Sequence, residues 1–281
     1  MNDERFDKIY AIANMLRLDV LDMVGIGKAG HLGGSISLAE IVAALYFDIM
    51  KYGQNMIDDP NRDRFILSKG HAVLIQYAAL VELGIISRSE LIKAKSLEGI
   101  LQGHPDMEST PGMEAVTGSL GQGLSIGIGM ALAARLDGRK SRIFIIVGDG
   151  EIAEGQIWEA AMFASTYKLN NIVAIIDKNG IQSTGRTVDV FDIPRLEEKW
   201  GSFGWHVITI DGHDVREIVS AFKEAEIKKE TPTVIIANTI KGKGISYAEN
   251  SAAFHNASLT EAQMKIAVKE IMDAQKAREV K

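Results

Sequence analysis

The sequence of 281 residues contains no cysteine, which excludes disulfides, thiolate metal sites and a cysteine nucleophile, and fits a reducing cytosol. Only 5 prolines interrupt it. No low-complexity linker or internal repeat divides it, so a single domain is expected over residues 1–281. No dense basic run is present, and 31 Lys+Arg against 37 Asp+Glu leave a net charge of -6. That balance argues against a nucleic-acid partner, whose phosphate backbone calls for a basic surface. No apolar run approaches membrane-spanning length, and the opening MNDERFDKIY is charged where a signal peptide would be apolar. A soluble cytoplasmic protein with no membrane partner is therefore expected. What the sequence has in quantity is apolar residues, 46% of the chain, ample for a large core.

The apolar pattern changes along the chain. Phe6, Ile9, Tyr10, Ala13, Leu16, Val20, Leu21 and Val24 recur at helical spacing and predict an amphipathic helix ending at the glycine-rich stretch Gly25 to Gly34. Ser37 with Glu40, and again Ser87 with Glu90, read as capping boxes, the first opening a helix over SLAEIVAALYFDIM. From Arg142 onward apolar runs alternate with helical segments. RIFIIV, NIVAIID, WHVITI and TVIIAN read as strands; Glu154 to Lys168, Pro194 to Trp200 and Val215 to Lys228 read as helices. Continuous apolar strands separated by helices imply an α/β fold, a mostly parallel sheet with helices on both faces. A helical tail is expected from about Thr260.

Ligands of such sheets bind beyond the carboxyl ends of the strands. Asp149, in Gly148-Asp149-Gly150, follows the strand RIFIIV, and Asn179 follows NIVAIID 30 positions later. One crossover helix would bring the carboxylate and the amide oxygen to the same sheet edge, where they could share a hard cation. Oxygen ligands suit magnesium, which keeps few protein ligands and is completed by phosphates and water. A Gly-Asp-Gly on its own reads equally well as a tight turn. Gly25-Ile26-Gly27-Lys28-Ala29-Gly30 matches the dinucleotide fingerprint but follows a helix rather than a strand, so that function is rejected. No histidine pair has the helical spacing of a zinc site.

The Gly-Asp-Gly and Asn pair resembles the thiamine-diphosphate signature of transketolases, 2-oxo-acid dehydrogenases and decarboxylases. AGHLGG around His31, DRFILSKGHA around His71, GHPD at His104, TGSLGQGLSIGIGMALA after Thr117 and GWHVITIDGHD resemble the N-terminal half of transketolase specifically. The likeness runs in the family's order from His31 to His255. SAAFHNAS around His255 lacks the glycine that commonly follows the family histidine, and Leu32, Lys69, Ser119 and Glu151 also depart from the usual single-chain pattern.

The resemblance implies a thiamine-diphosphate-binding fold, with the metal (Mg2+, or Ca2+ or Mn2+) held by Asp149, Asn179 and the carbonyl of Ile181. It implies Gly150 and Asn179 at the diphosphate, and His71, Gly118, Ser119, Leu120, Glu154 and His255 at other parts of the cofactor. His31, His104 and His255 would face the sugar as catalytic residues, imidazoles being suited to proton transfer near neutrality. Glu154 and Glu159 resemble carboxylates at the family's subunit interface, though ordinary charge placement at a helix start explains them as well. His206 and His213 are expected to be structural.

The family's cofactor lies between a diphosphate-binding and a pyrimidine-binding domain, and the resemblance covers only the first. A split transketolase is therefore expected, acting in the pentose phosphate pathway on sugar phosphates, with a C-terminal partner subunit in an α2β2 heterotetramer. The start at Met1 and the charged helical end suit a complete subunit. Membership of another thiamine-diphosphate enzyme, or a non-catalytic module of the same fold, stays open as an alternative.

Overall fold

Alternation along the central strands sets the architecture. In β2 (Ile143–Gly148), Ile143, Ile145 and Val147 pack into one apolar cluster and Phe144 and Ile146 into another, all of them buried. β3 (Ile172–Lys178) divides in the same way, with Ile172, Ala174 and Ile176 facing one cluster and Val173 and Ile175 the other. A strand with both faces dry must be covered on both sides, which is why these runs are continuously apolar. The computed structural model describes residues 3–228 and 230–279.

Five strands form one sheet in which every pairing is parallel. They are β1 (Arg64–Leu67), β2, β3, β6 (His206–Asp211) and β7 (Thr233–Asn238), in the spatial order β1-β2-β3-β7-β6. A two-stranded antiparallel ribbon, β4 (Ile181–Gln182) with β5 (Gly185–Arg186), follows β3. One face of the sheet is covered by α1 (Asp3–Val24), α3 (Ala39–Ala44), α4 (Leu74–Glu82) and α9 (Val215–Ile227), and the other by α5 (Gln122–Leu136), α6 (Gly155–Thr166) and α8 (Leu196–Ser202). Short helices α2 (Leu32–Ile36) and α7 (Thr187–Val190) lie in the connections, and α10 (Glu261–Glu279) packs Ala267 and Ile271 into the core beside α1. The expected α/β class with helices on both faces holds.

Both expected capping boxes fail. The segment from Ser37 does not open a single helix: Ser37 closes α2, and its hydroxyl lies 3.0 Å from Asp177 Oδ2 and 3.1 Å from Gly34 O. The helix it was expected to start is α3 followed by a wider π turn over Leu45–Ile49. Glu40 makes no cap because its carboxylate is drawn into a buried ion pair with Arg17. Ser87 bonds with Ser89 and Glu90 with Lys93 around a 3-10 turn, Arg88–Lys93. A reciprocal box does occur at the tail, where Gln263 N donates to Thr260 Oγ1 at 3.2 Å and Thr260 N donates to Gln263 Oε1 at 2.9 Å.

Among the described residues no helix is long and apolar enough to cross a membrane.

Candidate active site

The carboxyl ends of β1, β2, β3 and β7 release four loops on one edge of the sheet, and these loops carry Ser68 to His71, Asp149 to Glu151, Asn179 to Ile181 and Thr239 to Lys241. Gly148 and Asp177 are register partners, so Asp149 and Asn179 leave neighbouring strands at nearly the same height. A cavity of about 340 Å³ opens there. Asp149, Gly150, Asn179, Ile181, His71, His255, Leu120 and Glu154 all line it.

The polar groups are oriented by their own hydrogen bonds. Asp149 Oδ1 accepts from Gly150 N at 2.9 Å and Oδ2 from Gly180 N at 2.6 Å. Asn179 donates from Nδ2 to Asp177 Oδ2 at 2.8 Å and accepts at Oδ1 from Ile181 N at 3.1 Å, which fixes which end of the amide is oxygen. Burial, then the neighbouring Asp177, raise the Asp149 carboxyl above its usual range despite the two amides. A buried carboxylate held by amides rather than by a cationic side chain is a site where a metal ion lowers the energy. The donor set is all oxygen, which fits a hard divalent ion. Among the described residues no three His, Cys, Asp or Glu side chains form a metal cluster, so the protein alone offers few ligands and a phosphate would have to supply others.

Two lysines that sequence reasoning gave no role dominate the electrostatics. Lys69, 2% exposed, donates to Gly34 O at 3.0 Å and pairs with Asp177, which is also bonded by Thr239. Burial alone would raise Asp177, but Lys69 and these donors hold it below the usual carboxylate range. Lys241 donates to Ile181 O at 2.7 Å and to His255 Nδ1 at 2.9 Å. Its ammonium has no acceptor, so His255 carries its proton on Nε2. Burial and Lys69 lower Lys241 to about 8. Glu151, one of the departures from the family pattern, is buried, accepting from Gly121 N and Gly148 N at 2.9 Å each and from Ser68, so it ties the ends of β1 and β2 to the start of α5.

The four histidines His31, His71, His104 and His255 meet at one side of this cavity. Ring centroids are 5.2 Å apart for His31 and His71, 5.9 Å for His31 and His104, 5.4 Å for His31 and His255, and 4.9 Å for His71 and His255. His31 and His255 are joined by backbone pairing of their loops, Gly30 N to Ala257 O and the reverse at 3.0 Å each, so the glycine stretch after α1 serves strand-like pairing. Gly118 has φ +141 and a Cβ there would sit 2.7 Å from His104 Cδ2, so only glycine admits that ring. Ser119 is exposed beside it. His31, His104, Gly118 and Ser119 do not line the cavity itself.

His31 and His255, expected to transfer protons near neutrality, are pushed well below it, and so is His71. Burial, followed by neighbouring lysines and histidines, lowers His31 and His255 to about 4 and His71 to about 2. They are neutral at physiological pH. His206 and His213 stand away from the cluster: His206 Nε2 is 2.7 Å from Glu224, and His213 bonds Glu40 and Ile240. Glu159 is exposed on α6.

A family model described as transketolase, thiamine diphosphate binding domain, matches residues 9–280. The chain belongs to this family. It is 45% identical over 272 residues to the 6-deoxy-6-sulfo-D-fructose transketolase subunit SqwG of Clostridium sp. (strain MSTE9), covering 96% of this chain and 98% of that protein. It is 40% identical over 257 residues to an apulose-4-phosphate transketolase subunit of Phocaeicola vulgatus, covering 92% and 91%. Human transketolase is 36% identical over 271 residues, of which the match covers 43%. The solved transketolase of Campylobacter jejuni superposes with a TM-score of 0.87 at 29% identity, over 99% of this chain and 46% of that one. The chain thus spans nearly all of the transketolase subunits it resembles and under half of the longer transketolases. Its identity as the N-terminal, thiamine-diphosphate-binding half of a transketolase, read first from motifs, holds.

Proposed function

We propose that this chain, as one diphosphate-binding domain, forms half of a transketolase active site, transferring a two-carbon ketol unit between sugar phosphates. The other half comes from a C-terminal partner subunit bearing the pyrimidine-binding domain, in an α2β2 assembly with a cytoplasmic, pentose-phosphate role. Asp149, Asn179 and the Ile181 carbonyl hold Mg2+, with Ca2+ or Mn2+ as substitutes; the carbonyl keeps a second lone pair beside Lys241. Gly150 and Asn179 meet the diphosphate, and His71, Gly118, Ser119, Leu120, Glu154 and His255 meet other parts of the cofactor. When bound, thiamine diphosphate supplies the carbon nucleophile and the electron sink for the cleaved ketose.

The chain's own work is then binding and proton management. Lys69 and Lys241 create the positive field that a diphosphate neutralises. His31, His104 and His255 orient sugar hydroxyls through their ring nitrogens, His255 as a donor from Nε2 because Lys241 occupies its Nδ1. Burial is the first cause of the low His71 and His255 values, and the anionic cofactor would offset only the smaller part that the lysines contribute.

The observation that carries this reading is the convergence of four histidines, from four separate loops, beside the Asp149 and Asn179 cavity. Another thiamine-diphosphate enzyme would need the cavity but not that cluster. Calorimetric titration with thiamine diphosphate and Mg2+, with and without the partner, tests it. Metal-dependent binding with donor-ketose cleavage in the mixture is expected. Binding without any ketol transfer would favour a non-catalytic module.

A further inference from the structure

Lys241 stands in a tight turn, and the turn is held from behind by a buried chain of charged groups outside the cavity. Arg17 on α1 reaches Glu40 on α3 with Nη2 at 2.7 Å from both carboxylate oxygens, and the two side chains are 4% and 7% exposed. Glu40 Oε2 lies 3.1 Å from His213 Nδ1, in the loop between β6 and α9. His213 Nε2 accepts from Ile240 N at 2.8 Å, so the ring proton is on Nδ1 and is donated to Glu40. Arg17 returns to the same turn, where its Nε donates to Lys243 O at 3.1 Å.

The turn is therefore gripped at both ends, by His213 at the Ile240 amide and by Arg17 at the Lys243 carbonyl, with Lys241 between them. Its backbone leaves little slack elsewhere. Lys243 N donates to Ile240 O at 3.1 Å, and Gly242 N to Gly33 O at 3.1 Å, in α2. Gly242 has φ +81, and a Cβ there would lie 2.3 Å from Ala248 O. Burial by itself would raise Glu40, but Arg17 and His213 bring it down to about 2. The group is a fixed anion throughout the working pH range. Neither Arg17, Glu40 nor His213 lines the cavity.

We infer that Arg17, Glu40 and His213 are positioning residues whose task is to fix the Ile240 to Lys243 turn, and so to hold the Lys241 ammonium against Ile181 O and His255. The consequence for cofactor affinity rests on the function proposed above, while the positioning itself does not. Groups that orient a ligand from behind commonly change affinity about 10- to 100-fold when removed.

The test reads Lys241 directly in the purified chain. Acylation by acetic anhydride over a series of pH values, followed by peptide mass spectrometry with the exposed Lys265 as internal standard, gives the rate of the free amine at Lys241, which reports how well the side chain is held whatever its protonation. His213→Leu removes the acceptor for Ile240 N and should speed Lys241 acylation about tenfold or more, whereas His213→Gln, which keeps an acceptor and a donor, should restore slow labelling. Glu40→Gln, with size retained and charge lost, should fall between them. In the assembly with the partner, thiamine diphosphate affinity should follow the same order. Unchanged Lys241 labelling in a folded His213→Leu chain would overturn the inference. So would faster labelling that His213→Gln fails to rescue, since that pattern marks general loosening. A wild-type assembly that binds no cofactor would sink the functional reading and leave the labelling result to decide this one.

Discussion

The two ends of the site are built on different plans. Asp149 and Asn179 stand one step beyond two adjacent parallel strands, so their meeting follows from strand register and a single crossover helix. The four histidines come from loops after α1, after β1, before α5 and before α10, and no regular element relates them. Their meeting depends on loop pairing, on Gly118 making room for His104, and on the Lys241 turn that engages His255. The first end is anionic and calls for a cation; the second is crowded by lysines and calls for an anion. In the proposed function a diphosphate with its metal would join both demands, and the two ends should respond differently to the same perturbations.

The largest effect expected is the loss of all ketol transfer when the chain works alone, because both ends belong to the diphosphate half. In an assay of donor-ketose cleavage with Mg2+ and thiamine diphosphate, activity should rise as the partner is added and saturate at equal stoichiometry. Robust turnover by the single chain would show that the two ends suffice, and would break the comparison at its root. Next in size, Asp149→Ala should abolish metal-dependent cofactor binding while the fold survives, since it would remove the only charged group of the proposed ligand set and leave the Asn179 and Ile181 oxygens. Calorimetry on the assembled enzyme checks this; wild-type metal dependence in the variant would remove the metal from that end.

The same contrast separates what is legible in the sequence from what is not. Strand alternation, the parallel sheet and the Asp149 and Asn179 pairing are legible because a period and a spacing encode them. The histidine end is legible only through resemblance, since no local pattern links His31 to His255 across most of the chain. Lys241 escapes notice, although it follows β7 as Asn179 follows β3, and the strand-end rule could have found it. Asp177 also carries a signal: a carboxylate closing an apolar strand needs a buried cation, and Lys69 is that cation. Ser37 and Glu40 mislead because the side chains that cap helices are equally able to bond distant partners, and burial chose the distant ones.

At the histidine end, His31→Ala and His104→Ala should each lower turnover or sugar affinity by about a hundredfold while cofactor binding stays nearly intact. His71→Ala, at a residue lining the cavity, should weaken cofactor binding as well. Steady-state kinetics beside direct cofactor titration separates the two. If all three variants lost activity only in proportion to a fall in thermal stability, the cluster would be packing rather than chemistry.

The smallest effect expected is a difference in how acid acts on the two ends of the unliganded chain. His31 and His255 are lowered to about 4 and His71 to about 2, each by burial first, whereas an unfolded histidine titrates near ~6.5. Between those values the unfolded chain binds protons that the folded chain refuses, so stability is fully present above roughly pH 6.5 and declines as pH falls toward 4. Asp149 and Glu151, raised by burial, act in the opposite sense, because the folded state takes up their protons first. Raw melting curves mix the two, and the variants separate them. His71→Gln should flatten the fall in Tm between pH 7 and 5, by an amount on the order of 2–4 °C for each kcal/mol recovered. Asp149→Asn should steepen the net fall on further acidification by removing a group that opposes it. Identical pH profiles for His71→Gln and the wild type would mean that His71 is solvated and titrates normally, and that the histidine end is not held neutral by its surroundings.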